Sequence, residues 1–549
     1  MFEMYMQRKR DKIKRINTFV GREAMYKDNK IWVANNANGD KVFLLPEMAN
    51  RHGLIAGATG TGKTVTLKVL AEGFSDMGVP VFLADVKGDL SGMVCEGRDS
   101  DDMQDRIKRF GLDEAGFSFT KYPATFWDVF GEKGIPLRTT VSEMGPLLLA
   151  RILGLNDLQR DILSITFKIA DDNNLLLVDT KDLKSMLNYV SENNKEFAAD
   201  YGNISKVSIA AIVRAIVSLE IAGADKFFFE PALNIRDWFT TGEGGKGMIN
   251  IIDSTSLINN GTLYATFLLW MLSELFETLP EVGDLDKPKM VFFFDEAHLL
   301  FADTPKLLMD KIEQVVKLIR SKGVGIYFVT QNPRDIPDGV LAQLGNKIQH
   351  ALHAYTPSDM KAVKAAADSF RENPAFKTAD AIQELGTGEA ICSFLDEDGT
   401  PTMAERVFIL PPQSLMGSID DSLREKEIKQ SVLYSKYYEP EDPDSAYEFL
   451  ERKGLADAEA AAKLKAEEEA AKLKAKEEAA KAKAKEKEEA AEARKKKQAA
   501  KSVGNAVAGT VGREVGKTFG GKFGKFGKTL GGNLGASLGR GILSTLFKI

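Results

Sequence analysis

Short apolar runs recur between residues 53 and 410, and several end in polar or acidic residues. Gly53-Leu54-Ile55-Ala56, Val79-Pro80-Val81-Phe82-Leu83-Ala84, Met248-Ile249-Asn250-Ile251-Ile252, Val291-Phe292-Phe293-Phe294 and Gly325-Ile326-Tyr327-Phe328-Val329 do not alternate as a half-exposed strand does. Such continuous runs predict strands buried on both faces, as in a parallel sheet. Between them, residues 65–72, 144–153, 207–220 and 263–279 read as helices. The fold class is therefore α/β, with a mainly parallel sheet.

The flanks add detail. Residues 30–34 and 41–45 surround Asn38-Gly39-Asp40, a hairpin-type turn. Further strand candidates lie at 347–352, 389–395 and 406–410, after which Pro411-Pro412 ends the globular pattern. The chain divides into a basic segment and short hairpin (1–50), a first core part (51–95), a helical insertion (96–245) and a second core part (246–415). A connecting segment (416–455), a charged helix (456–501) and a basic glycine-rich tail (502–549) follow. The charged stretch is nearly all Ala, Lys, Glu and Arg, strong helix formers with acid–base pairs four apart. Its leucines are too sparse for a coiled-coil seam, so a semi-rigid spacer is expected. In the tail, Gly504, Ala508, Gly512, Gly516, Gly520 and Gly524 recur every fourth residue among lysines and phenylalanines. Such a segment can lie on anionic membrane, self-associate, bind nucleic acid or remain without fixed structure.

Composition excludes little. The chain has 549 residues, 44% of them hydrophobic, enough for a large core with added modules. A net charge of −6 rules out a uniformly basic nucleic-acid coat but not a local basic pore. Two cysteines far apart, Cys95 and Cys392, support neither a disulfide framework nor a zinc site. Of the four histidines, His350 and His353 read as structural, while His298 reads equally as a site hydrogen-bonder or a packed residue. The N-terminus lacks an apolar signal core and no apolar run reaches membrane-spanning length, so a cytoplasmic setting, with peripheral membrane contact through the tail, is expected.

The chemistry lies at the ends of three strands. Gly57-Ala58-Thr59-Gly60-Thr61-Gly62-Lys63-Thr64 fits the phosphate-binding P-loop, between a strand and a helix as that motif requires. Its glycines let backbone amides turn inward toward phosphate, and the helix beginning through Val65 aims its positive end at the same place. Residues 57–65 are thus the expected ATP contacts, with Lys63 on the β- and γ-phosphates and Thr64 on Mg²⁺. Asp295, at the tip of the 291–294 strand, would hold Mg²⁺ through a water, and Glu296 would be the base for the attacking water. Gln331, at the tip of the next strand, would sense the γ-phosphate. Asp85 ends another strand, expected next to the P-loop strand, and either contacts the Mg²⁺ shell or anchors a loop.

With these motifs placed, the sequence resembles the HerA/FtsK superfamily of RecA-like ring ATPases, and more closely the bacterial YjgR-type HerA-like family. The residues that carry the likeness are 57–64, Asp85-Val86-Lys87-Gly88-Asp89-Leu90-Ser91-Gly92, Phe126-Trp127-Asp128-Val129-Phe130-Gly131, 140–148, 228–233, Phe294-Asp295-Glu296-Ala297-His298 and 320–333. The resemblance implies a RecA-like core, a homo-hexameric ring with ATP between subunits, and motor activity on double-stranded DNA. It also implies an arginine supplied to the neighbouring subunit's γ-phosphate. Arg320 matches the arginine before the sensor strand, and Arg214 is its rival. Only about 50 residues precede the P-loop, too few for the N-terminal β-barrel of HerA proteins. The leading expectation is an ATP-driven DNA translocase or helicase-like motor. The alternatives are a membrane-associated ATPase that moves or remodels protein, and a slow nucleotide-gated scaffold.

Overall fold

The computed structural model describes residues 26–500 apart from 28, 260, 284 and 302–305. Its described strands form one sheet. They are β1 (Tyr26–Lys27), β2 (Lys30–Asn36), β3 (Lys41–Leu44), β4 (Gly53–Ala56), β5 (Val81–Asp85), β6 (Ala124–Asp128) and β7 (Ile135–Pro136). The rest are β8 (Ile249–Asp253), β9 (Met290–Phe294), β10 (Val324–Thr330), β11 (Asn346–Gln349), β12 (Glu389–Ser393) and β13 (Glu405–Ile409). The spatial order is β1-β2-β13-β12-β11-β4-β10-β9-β5-β8-β6-β7, with β3 on β2. From β11 to β7 every pairing is parallel. From β11 through β12, β13 and β2 the pairings are antiparallel.

The apolar runs behave as their composition demands. Every residue of β4, β5, β8, β9 and β10 is buried. Helices cover the parallel strands, so both faces exclude water and no polar alternation survives. Aromatic rings fill the centre: Phe82 lies 5.1 Å from Phe292 and 5.0 Å from Trp238, and Phe294 stacks on Phe328 at 5.7 Å. Burying each such side chain contributes about 1.5–3 kcal/mol.

Two arrangements differ from the sequence reading. The strand ending at Asp85 is not beside the P-loop strand, because β10 and β9 stand between β4 and β5. Crossover connections decouple spatial order from chain order, and periodicity carries no information about it. Residues 96–245 hold the helices Asp101–Arg109, Val141–Ile152, Asp157–Asp172, Thr180–Glu192, Asn194–Tyr201 and Lys206–Ile221, but also β6 and β7, which extend the sheet beyond β8. The hairpin β2–β3 forms as its turn suggests, and β2 also pairs with β13, joining the start of the core to its last strand.

The described residues up to Leu455 form one compact unit, and a second begins at Ala456. The charged helix runs over Ala446–Ala500, so it starts ten residues before the composition changes at 456. Its first turn is fixed by acids. Glu448 accepts the Ser445 N–H at 3.1 Å, and Asp182 accepts the Tyr447 N–H at 2.8 Å. The tail at 502–549 lies outside the described residues. Among the described residues, no helix is long and apolar enough to cross a membrane.

Candidate functional site: a P-loop at the carboxyl edge of the sheet

Parallel strands end at one edge, and that edge gathers the loops that follow β4, β5, β9 and β10. β4 leads into residues 57–62, and the helix Lys63–Asp76 starts at once. Gly60 has φ +80° and Gly62 φ +115°, conformations that cost other residues free energy. Gly57 is needed for space, because a Cβ there would lie 2.5 Å from the His350 Cβ. The amides of Lys63, Thr64 and Val65 open the helix and have no carbonyl one turn earlier within it. Lys63 is buried and folds back on the loop, donating to Gly57 O at 2.8 Å and Ala58 O at 3.0 Å. Burial pulls its ammonium below the usual lysine pKa, against the pull of Glu296 and Asp295. Thr64 is half-buried, and Thr59 and Gly60 are exposed at the crest of the loop.

Across the edge, Asp295 and Glu296 leave β9 together. Asp295 is buried; its Oδ1 accepts the Glu296 N–H at 2.9 Å and its Oδ2 has no hydrogen-bond partner. Burial raises its pKa to about 6, with Lys87 opposing and Glu296 adding. A buried, orphaned carboxylate oxygen within electrostatic reach of the P-loop lysine has the chemistry of a Mg²⁺-water acceptor. Glu296 has φ +47°, a left-handed conformation that costs a non-glycine residue about 1–3 kcal/mol. Its Oε1 lies 2.5 Å from Lys87 Nζ. Its Oε2 accepts from Gln331 Nε2 at 3.2 Å and lies 3.3 Å from His298 Nδ1. Burial alone would raise the Glu296 pKa, but Lys87, Gln331 and His298 outweigh it and hold the carboxyl below its ordinary value. Beside it opens a pocket of about 380 Å³ lined by His298, Phe301, Gln331 and Asp335.

Lysine, acid pair and glycine loop, brought together from residues more than two hundred apart, are the parts of a P-loop ATPase. Residues 30–529 match the family described as helicase HerA-like C-terminal. The chain belongs to that family. The DNA double-strand break repair helicase HerA of Sulfolobus acidocaldarius is 30% identical over 148 residues, 26% of this chain and 29% of that protein. The HerA of Saccharolobus solfataricus is 23% identical over 350 residues, 62% of this chain and 61% of that one. The chain therefore spans less than two thirds of the length of these relatives. Among solved structures, the bacterial conjugative coupling protein TrwB superposes with a TM-score of 0.49 at 14% identity, covering 72% of this chain and 92% of that one.

The other expected residues of this HerA-like chain divide. Gln331 and His298 join the site through Glu296. Asp85 accepts hydrogen bonds from its own loop. Its Oδ1 accepts the Gly88 N–H at 2.7 Å and its Oδ2 the Leu90 N–H at 3.0 Å, so its contacts are those of the loop anchor. Burial, and then Asp89, raise its pKa to about 7. Arg320 precedes β10 and lies roughly 20 Å of strand away from Gln331. Arg214 is exposed on the helix Lys206–Ile221.

Two residues beside the site escape motif reading. His350 is buried against Gly57. Its Nδ1 lies 2.9 Å from Glu389 O and its Nε2 2.8 Å from Thr66 Oγ1. A carbonyl only accepts, so Nδ1 carries the proton and Nε2 takes the threonine hydroxyl. Burial lowers its pKa to about 4, and the ring stays neutral beneath the loop. Lys87 is the other: it lies in the 85–92 stretch that carries the family likeness, two residues past a strand-ending aspartate, but the motif gives it no role.

Proposed function

We propose that this HerA-like P-loop ATPase hydrolyses ATP and couples the reaction to movement along double-stranded DNA. The observation that carries the hydrolytic part is the tip of β9. A glutamate carboxylate there stands within electrostatic reach of the P-loop lysine, and the neighbouring aspartate has an unpaired buried oxygen. The DNA part rests on family membership and on the HerA relatives, which are DNA double-strand break repair helicases.

In this reading the amides of residues 58–65 and the Lys63 ammonium bind the triphosphate. ATP draws Lys63 from the Gly57 and Ala58 carbonyls, which hold it in the free chain. Mg²⁺, bound by the Thr64 hydroxyl and through water by Asp295, would neutralise charge on the β- and γ-phosphates. Glu296 takes a proton from water as the water oxygen bonds to the γ-phosphorus and the bond to ADP breaks. Gln331 steers Glu296 and senses the γ-phosphate through it. Asp85 anchors the loop that carries Lys87. The trans arginine comes from Arg320 or Arg214 of a neighbour in a homo-hexamer.

ATPase rate measured with duplex DNA, single-stranded DNA, anionic liposomes or no addition tests this function. Duplex DNA is expected to stimulate turnover. Glu296→Gln is expected to lower kcat by about 10²–10⁴ while ATP still binds, and Lys63→Ala to weaken ATP binding. Indifference to DNA together with stimulation by liposomes would overturn the DNA reading in favour of the membrane-associated alternative.

A further inference from the structure

Glu296 is contacted on both of its carboxylate oxygens. Oε1 lies in close ion-pair contact with Lys87 at 2.5 Å, and Oε2 accepts from Gln331 at 3.2 Å with His298 close by. A base that accepts a proton from water must present a lone pair to that water, and an ammonium in contact with the oxygen competes for it. Gln331 is a neutral donor whose contact with Oε2 leaves Oε1 open. Lys87 is the group in contact with it.

The surroundings separate a fixed backbone from a movable arm. On one side, Asp85 accepts the Gly88 and Leu90 amides. On the other, the Ser91 hydroxyl accepts the Ile419 N–H at 3.1 Å, Gly92 N–H donates to Gly417 O at 3.1 Å, and Leu415 N–H donates to Cys95 O at 3.0 Å. The loop is therefore tied at both ends. The Lys87 side chain is 41% exposed, whereas Glu296 is 5% exposed. A four-carbon stem with a partly hydrated ammonium can swing away without moving its backbone. Glu296 cannot move as freely, since it is buried and its backbone is held in a left-handed conformation by Asp295 Oδ1 and by the Ala297 N–H to Val329 O bond.

We propose that Lys87 is a positioning residue that clamps Glu296 away from the attacking water and so restrains hydrolysis in the unstimulated protein. Turnover then requires the lysine arm to leave Oε1, and Glu296 turns to the water with Gln331 still in place. The ion pair is a brake, distinct from the phosphate-binding role of Lys63. This inference rests on the ATPase function proposed above.

Steady-state ATP hydrolysis without DNA, in the full chain, tests it. Lys87→Met is expected to raise kcat by about threefold or more with KM for ATP little changed, because the proton acceptor is released and the phosphate site is untouched. Lys87→Arg keeps the pair and is expected to keep the low rate. Lys87→Met/Glu296→Gln is expected to lose the gain, which ties it to the freed carboxylate. Lys87→Gln serves beside Lys87→Met should the latter lower the melting temperature. A raised KM at unchanged kcat would overturn the brake and make Lys87 a phosphate ligand. A lowered or unchanged kcat in both variants would overturn it too. Lys63→Ala keeps the two claims apart. If the wild-type rate survives that substitution, the ATPase function fails and the brake falls with it. If the rate is lost but Lys87→Met changes nothing, the brake alone fails.

Discussion

At the scale of single residues, the site is governed by space and by buried charge. Gly57 has no room for a side chain, since a Cβ would sit 2.5 Å from His350. His350 cannot retreat, because both ring nitrogens are engaged and the ring is buried. Gly57→Ala is accordingly expected to displace the loop, weakening ATP binding at least about tenfold and lowering stability by about 1–3 kcal/mol, read by nucleotide titration and thermal unfolding. Asp85 gives a pH signature. Its folded pKa of about 7 lies above the ordinary 3.8, so the folded chain holds a proton that the unfolded chain has released between those values. Stability from this group is therefore fully present below about pH 4 and is lost as pH rises through 7. Asp295, raised to about 6, acts in the same direction. Melting temperature in Mg²⁺-free buffer is expected to carry a component that falls across this window, and Asp85→Asn to flatten it. An unchanged slope in Asp85→Asn would show that the buried carboxyl is not the source.

At the scale of elements, strands and loops divide the work. The strands are rigid because they are apolar on both faces. The loops at their carboxyl ends carry the polar groups, since only there does backbone leave the ladder. The long helix illustrates how tertiary contacts extend an element. Composition places its start at 456, whereas it begins at Ala446, where Ser445 and Glu448 stand three apart as in a capping box. Asp182, at the start of the helix Thr180–Glu192, takes both the Tyr447 N–H and the Ser445 hydroxyl. Asp182→Ala is expected to cost about 1–2 kcal/mol and to fray residues 446–455, detectable as faster amide exchange in that segment alone. Protection equal to wild type would mean that Glu448 suffices as the cap.

At the scale of the whole molecule, the first compact unit ends at Leu455, and the site lies entirely within it. Lys63, Asp85, Lys87, Asp295, Glu296 and Gln331 come from four strand ends spread over nearly 270 positions. They meet because a parallel sheet puts all its carboxyl ends on one edge. The identity of the strands, the glycine loop and the acid pair were legible in the sequence for a plain reason. Continuous apolar runs have one stable place in a water-soluble fold, and a phosphate loop tolerates few residue types at its turns. Three things were not legible. Strand order, which puts β10 and β9 between β4 and Asp85, depends on crossovers that leave no mark on local periodicity. Asp85 reads the same as a metal ligand or a loop anchor in sequence, and only the structure shows the Gly88 and Leu90 amides on its two oxygens. Lys87 lies in a stretch that carries the family likeness, but only the packing of two distant strand tips brings its ammonium onto Glu296. Sequence alone thus determined which residues could do the chemistry, through composition and spacing along the chain. The tertiary structure decided which of them meet and which hold each other in check, because charge interactions depend on distance in space and not on distance along the chain.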